Sequence, residues 1–233
     1  MKLTDRQENL LAEIIHQHVI SAEPVGSKPL VEAGRFELSS ATLRNEMSVL
    51  EQEGLLRQPH TSAGRVPTPA GYRYYLQNIL ESKSVSGRDQ VKIKEIISKN
   101  EASDWQTRMK DLARAVADMI DSAFIICWSE RDIYYTGIAN VLQQPEFYRP
   151  EVSVNIARII DHLDRALPPL YQRVEQTKVL IGDENPLGHD LAAIFTKAEG
   201  RRQPLIGIFG PLRMNYVRNL GIINYLKKEV SNV

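Results

Sequence analysis

The sequence predicts an α+β chain in two parts, an N-terminal winged helix-turn-helix followed by an α/β domain. Three observations carry this. A capped helix from Ser39 to Gly54 has an apolar stripe and a polar outer face. Behind it runs a stretch from Arg57 to Leu80 with arginines and no Asp or Glu. Beyond residue 91, apolar runs of strand length alternate with amphipathic helices.

Taken in order, Thr4 and Gln7 form a capping box for a first helix, whose Leu10, Leu11, Ile14, Ile15 and Val19 face a core. His16 and His18 are two residues apart and cannot share a helix face, which excludes them as a metal pair. Pro24-Val-Gly-Ser27 breaks the chain, and Ser27 is expected to cap a short helix through Leu30 and Val31 that ends near Gly34. Ser39 or Ser40 then caps the third helix and Gly54 stops it. Leu43, Met47 and Leu50 make its buried stripe, while Ser40, Thr42, Arg44, Asn45 and Ser48 fall largely off it. Such a face suits base reading: Arg forks onto guanine, Asn onto adenine, and hydroxyls take base edges or phosphate. Alone, the same stripe also reads as a solvated helix face.

The sequel decides between them. Leu55 and Leu56 suggest a short strand, followed by Arg57, Arg65 and Arg73 without a neutralising acid. His60, Thr61, Ser62 and Gly64 suit a hairpin tip, and Pro67 and Pro69 delay the next helix, for which Thr68 and Pro69 are N-cap and N1. Helix, strand, basic loop and helix is the order of a winged helix-turn-helix, whose third helix enters the major groove of double-stranded DNA. The expected DNA-binding set is therefore Ser39, Ser40, Thr42, Arg44, Asn45 and Ser48 on the reader, with Arg57, His60, Thr61, Ser62, Arg65 and Arg73 holding phosphates. A symmetric site requires a symmetric protein, so a homodimer is expected.

Composition narrows the rest. With 233 residues and 42% apolar content, the chain has room for two modest domains. Its formal charge is zero, so any basic surface is a local patch. No apolar run approaches about 18 residues and no charged-then-apolar leader is visible, so neither a membrane partner nor a secretory signal is expected and the cytoplasm is the expected compartment. The single Cys127, within Ala123-Phe-Ile-Ile-Cys-Trp128, excludes an internal disulfide and a multi-thiolate metal site and reads as core. No catalytic residue, cofactor or metal is expected. Asp183 and Glu184 are adjacent carboxylates that point apart, Ile206-Gly-Ile-Phe-Gly-Pro211 lacks a phosphate-loop spacing, Arg213 reads as an internal ion pair, and His189 stands alone.

A boundary is expected near residue 82, with domains 1–81 and 91–233 joined by a polar linker at 82–90. Val91 to Ser98 suits a short helix. Ser103 with Gln106 opens a firmer one, with a stripe of Trp105, Met109, Leu112, Val116 and Met119. Ala123–Trp128, Ile133–Ile138, Lys178–Ile181 and Pro204–Phe209 read as strands. A helix through Val152, Ile156, Ile159, Leu163 and Leu167 is expected to end at Pro168 and Pro169, and a last helix carries Tyr216, Leu220, Ile223, Leu226 and Val230.

Pro24-Val-Gly-Ser27, Ser39-Ser-Ala-Thr-Leu-Arg-Asn45, Leu50-Glu-Gln-Glu-Gly54, Pro59-His-Thr-Ser-Ala-Gly-Arg-Val-Pro-Thr68 and Gly71-Tyr-Arg73 closely resemble the HrcA family of bacterial heat-inducible transcription repressors. Pro145-Glu-Phe147, Ile181-Gly-Asp-Glu-Asn185 and Gly207-Ile-Phe-Gly-Pro-Leu-Arg-Met-Asn-Tyr216 extend the resemblance toward the C-terminus. It implies a repressor on an inverted-repeat operator ahead of chaperone genes, released under heat stress, dependent on the GroE chaperonin, with a GAF-like second domain. Two departures stand out. Leu212 and Asn215 replace the family's usual Thr and Asp. Family members are also longer, the missing material falling between Ile120 and the segment from Tyr134 to Leu142, so that part of the GAF-like sheet and the inserted dimerisation domain are expected to be absent. The helix from Trp105 to Met119 or that from Tyr216 to Val230 is then the candidate dimer contact. Two other functions compete: a winged helix that binds protein, favoured by Glu46, Glu51 and Glu53, and a small-molecule sensor built on the second domain.

Overall fold

The computed structural model describes residues 2–80, 84–99, 103–148 and 150–230, and the chain divides into two compact units, 1–81 and 82–233. In the first unit, α1 (Asp5–Ser21) starts at Thr4, whose capping box with Gln7 is formed. It is followed by α2 (Ser27–Glu32), α3 (Ser40–Gln52), a hairpin of β1 (Leu56–Arg57) and β2 (Val66–Pro67), and α4 (Pro69–Tyr74), which continues as a π-helical turn over Tyr75–Ile79. Leu10, Leu11, Ile14, Leu30, Leu43, Met47, Leu50 and Tyr72 are buried as its core.

The cap of α2 differs from the sequence expectation. Gly26 occupies the N-cap without a side-chain bond, and Ser27 is already helical; its hydroxyl instead meets that of Ser40 at 2.7 Å, joining the starts of α2 and α3. α4 begins as expected, with Thr68 Oγ1 accepting from the N–H of Gly71.

The second unit contains α5 (Gly87–Lys99), α6 (Trp105–Ile120), β3 (Ala123–Cys127), β4 (Ile133–Thr136), α7 (Ile138–Leu142), α8 (Pro150–Asp161), α9 (Leu163–Arg173), β5 (Lys178–Ile181), β6 (Leu191–Lys197), β7 (Leu205–Pro211) and α10 (Tyr216–Glu229). Its strands form one antiparallel sheet in the order β4-β3-β7-β6-β5. One face, with Ile125, Phe195 and Phe209, packs with Ile156, Leu163 and Leu167 of α8 and α9. Alternation turns Phe124, Ile126, Ile194 and Ile208 to the other face, toward α6 and α10. No helix among the described residues is long and apolar enough to cross a membrane.

Five expectations are corrected here. The linker is shorter than 82–90: α5 starts at Gly87, Val85 is buried, and Asp89 is 4% exposed because it pairs with Arg218. Asp104, not Ser103, caps α6, its carboxylate accepting from the N–H of Gln106 and Thr107. Pro168 and Pro169 lie inside α9; the chain breaks earlier, at His162, and the burial of Leu163 and Leu167 offsets the lost N–H donors. β6 was not expected at all, since Leu191-Ala-Ala-Ile-Phe-Thr196 has no alternation; every one of these residues is buried. Finally, Met109, Leu112 and Val116 of α6 and Tyr216, Ile223 and Leu226 of α10 are buried within their own unit, so neither stripe is free to join a second subunit.

Candidate nucleic-acid interface

α3 is built to present its first two turns. Ser39 accepts from the N–H of Thr42 at 3.1 Å and also meets the Thr42 hydroxyl at 2.9 Å, so this hydroxyl is committed to the cap. Ser40 is held by Ser27, and the Ser48 hydroxyl donates to the Arg44 carbonyl at 3.0 Å. Between them Arg44 and Asn45 are exposed, with no side-chain partner among the described residues. These two retain their full hydrogen-bonding capacity for a ligand.

The carboxylates on α3 are employed internally. Glu46 is ion-paired with Arg6 and accepts from Gln7 at 3.2 Å. Glu51 faces the wing: its Oε1 accepts the N–H of Gln58 at 3.1 Å, and its Oε2 lies 2.8 Å from Nε of Arg65. Arg65 was expected to hold phosphate. Instead it is neutralised, and its side chain is only 13% exposed.

The wing is a closed lobe. Leu56 pairs with Pro67 and Arg57 with Val66, while Arg65 exchanges both backbone hydrogen bonds with Val25, at 2.8 and 2.9 Å. The side-chain amide of Gln58 donates to the carbonyls of Thr61 and Ala63, both at 2.9 Å. A Cβ at Gly64 would stand 2.3 Å from the Val25 carbonyl, so only glycine allows this approach. His60, Thr61 and Ser62 are exposed at the tip. Arg57 is exposed without a partner among the described residues, whereas Arg73 is half-buried on α4.

Between α2, α3 and the wing runs a groove of about 590 Å³, lined by Lys28, Arg44, Met47, Thr61, Ser62 and Gly64 among others. It brings together residues that lie more than thirty positions apart in sequence, including the exposed Lys28, which the sequence reading passed over. Lys28 carries no local motif; only the fold places it opposite the wing.

A second groove of about 590 Å³ lies along α1, lined by Arg6, Glu13, His16, Arg35 and Tyr75 among others, and there Glu13 is ion-paired with Arg35. Among the described residues no cluster of His, Cys, Asp or Glu could hold a metal ion. Cys127 is buried, and desolvation pushes its thiol up to about 12, far from thiolate chemistry at neutral pH. Arg213 is ion-paired with Glu146 and donates to Gln144 at 2.6 Å. His189 meets Asp183 at 2.8 Å on the surface.

A capped helix with a polar outer face, flanked by an acid-free wing, defines a winged-helix DNA-binding regulator. Residues 72–219 match the family model described as HrcA protein C terminal domain. The chain belongs to the HrcA family. It is 27% identical to the heat-inducible transcription repressor HrcA of Thermoanaerobacter sp. (strain X514) over an alignment spanning 100% of this chain and 97% of that protein. A second relative of the same description, from Limosilactobacillus reuteri (strain DSM 20016), is 47% identical over 91 residues, 39% of this chain and 26% of that protein. The Thermoanaerobacter alignment occupies 334 positions against 233 residues here, so about 100 of its positions stand opposite gaps in this chain. Among solved structures, one described as a hypothetical protein at 2.2 Å resolution superposes with a TM-score of 0.82 at 19% identity, covering 99% of this chain and 98% of that one, and so shares its fold.

Proposed function

We propose that this chain is a sequence-specific DNA-binding repressor of heat-shock chaperone genes, acting as a homodimer on an inverted-repeat operator and released on heating. The observation that carries it is the pair Arg44 and Asn45, exposed and without a side-chain partner among the described residues, on a capped helix beside a wing whose tip residues His60, Thr61 and Ser62 are also exposed. In this reading Arg44 and Asn45 meet base edges in the major groove, while Arg57 and the wing tip hold phosphates. Two copies occupy half-sites a whole number of helical turns apart. Internal pairing of Glu46 and Glu51 reduces the support for a protein-binding winged helix to the exposed Glu53.

The gap of about 100 positions fits a chain without the family's inserted dimerisation domain, the backbone instead turning directly from β3 into β4 at Ser129–Asp132. A dimer with a small contact would lose its partner on warming and release its operator, which makes heat sensing a matter of mass action. Dependence on the GroE chaperonin and a cytoplasmic location belong to the same reading and rest on family membership. The test is selection of duplexes from a random pool, then mobility-shift titration with the selected inverted repeat and a scrambled control. The expected result is tighter binding to the inverted repeat, weakening steeply with salt; equal or absent binding to both duplexes sinks the repressor reading.

A further inference from the structure

We infer that Glu51 is a specificity-determining positioning residue, which fixes the wing against the reader helix and keeps Arg65 off the DNA phosphates. The inference rests on the DNA-binding reading above. Glu51 sits in the last turn of α3 and holds both roots of the wing with one carboxylate: Gln58, just after β1, by a hydrogen bond from its N–H, and Arg65, just before β2, by an ion pair with Nε at 2.8 Å that lacks hydrogen-bond alignment. Gln58 then passes the restraint to the tip through Thr61 and Ala63, and Arg65 passes it to Val25. The wing therefore meets DNA in one pose relative to Arg44 and Asn45. A reader that docks in one pose places its base contacts in one register, which is where discrimination arises.

The charge balance follows from the same pair. Arg65 lines the groove beside Lys28 and Arg44. Freed, it would be a further cation available to phosphate, adding affinity for every sequence alike and about 0.9 to the salt slope. Paired with Glu51 and largely buried, it adds none. Glu51 thus lowers sequence-independent binding while holding the contacts that distinguish sequences, so that the ratio between operator and bulk DNA rises.

The experiment compares wild type, Glu51→Ala, Glu51→Gln, Arg65→Ala and the double variant Glu51→Ala/Arg65→Ala on the selected inverted repeat and its scrambled control across a salt series. Thermal unfolding reports which variants are folded. Both Glu51 variants are expected to bind the scrambled duplex more tightly, with a salt slope steeper by about 0.9 per half-site, and to lose severalfold in discrimination. Arg65→Ala alone is expected to leave the slope as in wild type, and in the double variant to restore it. Glu51→Gln keeps the side chain's size and carries the test if Glu51→Ala does not fold. Equal weakening on both duplexes at unchanged slope would mean a merely structural role and overturns the inference. So does an Arg65→Ala slope that is shallower than wild type. If wild type discriminates and these outcomes follow, only the inference fails; if wild type does not discriminate, the repressor reading fails with it.

Discussion

The guanidinium of Arg218 forks onto the carboxylate of Asp89, with Nη2 2.9 Å from Oδ1 and Nε 3.1 Å from Oδ2, and so ties the first turn of α5 to α10. The Arg218 bond holds the Asp89 carboxyl below its ordinary value, against the opposing effect of burial. A carboxylate lowered in the folded state contributes stability above its unfolded pKa of about 3.9, and that contribution is lost as pH falls through the lower folded value. Denaturant titrations should therefore show wild-type stability dropping as pH falls below about 4, with a shallower drop for Asp89→Asn. Asp89→Ala should cost about 1–3 kcal/mol at neutral pH, less than a fully buried pair because Arg218 remains 38% exposed. Identical pH profiles for wild type and Asp89→Asn would refute the assignment.

The proposed base-reading residue Asn45 on α3 and the proposed phosphate holder Arg57 on β1 should respond differently to substitution. Arg57 is exposed and unpartnered among the described residues, so Arg57→Ala should weaken inverted-repeat and scrambled duplexes alike and flatten the salt slope by about 0.9 per half-site. Asn45→Ala should instead relax base choice at one position in each half-site, at about 1–3 kcal/mol, with the slope unchanged. Binding-site selection on both variants, with a salt series, distinguishes the two roles. A broadened site for Arg57→Ala, or an unaltered one for Asn45→Ala, would exchange or cancel them.

The reader helix and wing were legible because their signals are local: Ser39 as cap, Gly54 at positive φ as stop, Thr68-Pro69 as a helix start. The pairing of Arg65 is not legible in the sequence, for the opposite reason. Its partner Glu51 lies fourteen positions upstream, and a sequence does not tell an arginine that faces solvent from one folded back onto a carboxylate. Lys28 was passed over because only tertiary packing brings it to the wing. In the second unit the strands with flanking turn signals were found, while β6, apolar on both faces, offered no period to distinguish it from a buried helix. The apolar stripes of α6 and α10 are visible in the sequence, but periodicity does not say against what they pack, and the structure buries them within their own unit.

Backbone proximity makes one glycine indispensable. A Cβ at Gly71 would lie 2.1 Å from the carbonyl oxygen of Leu55, where α4 crosses the root of the wing backbone to backbone. Gly71→Ala must push the two apart, and overpacking of this kind costs about 1–3 kcal/mol. The melting temperature of the chain should fall, and operator affinity should fall with it because Leu55 leads into β1. A Gly71→Ala variant with unchanged melting behaviour would show that α4 does not rest on Leu55.

Burial of the α6 stripe decides how its substitution should behave. Met109, Leu112 and Val116 contribute to the face of the sheet that α10 also covers, so they stabilise the unit itself and not an association. Leu112, 2% exposed, should cost about 2–5 kcal/mol when truncated to Ala. That loss should be the same at low and high protein concentration, since it concerns folding within one chain. On a saturating inverted-repeat duplex, sedimentation should still report two chains per duplex for whatever fraction of Leu112→Ala is folded. If the destabilisation instead shrinks as protein concentration rises, Leu112 lies in a subunit contact and the buried stripe of α6 is shared between two copies.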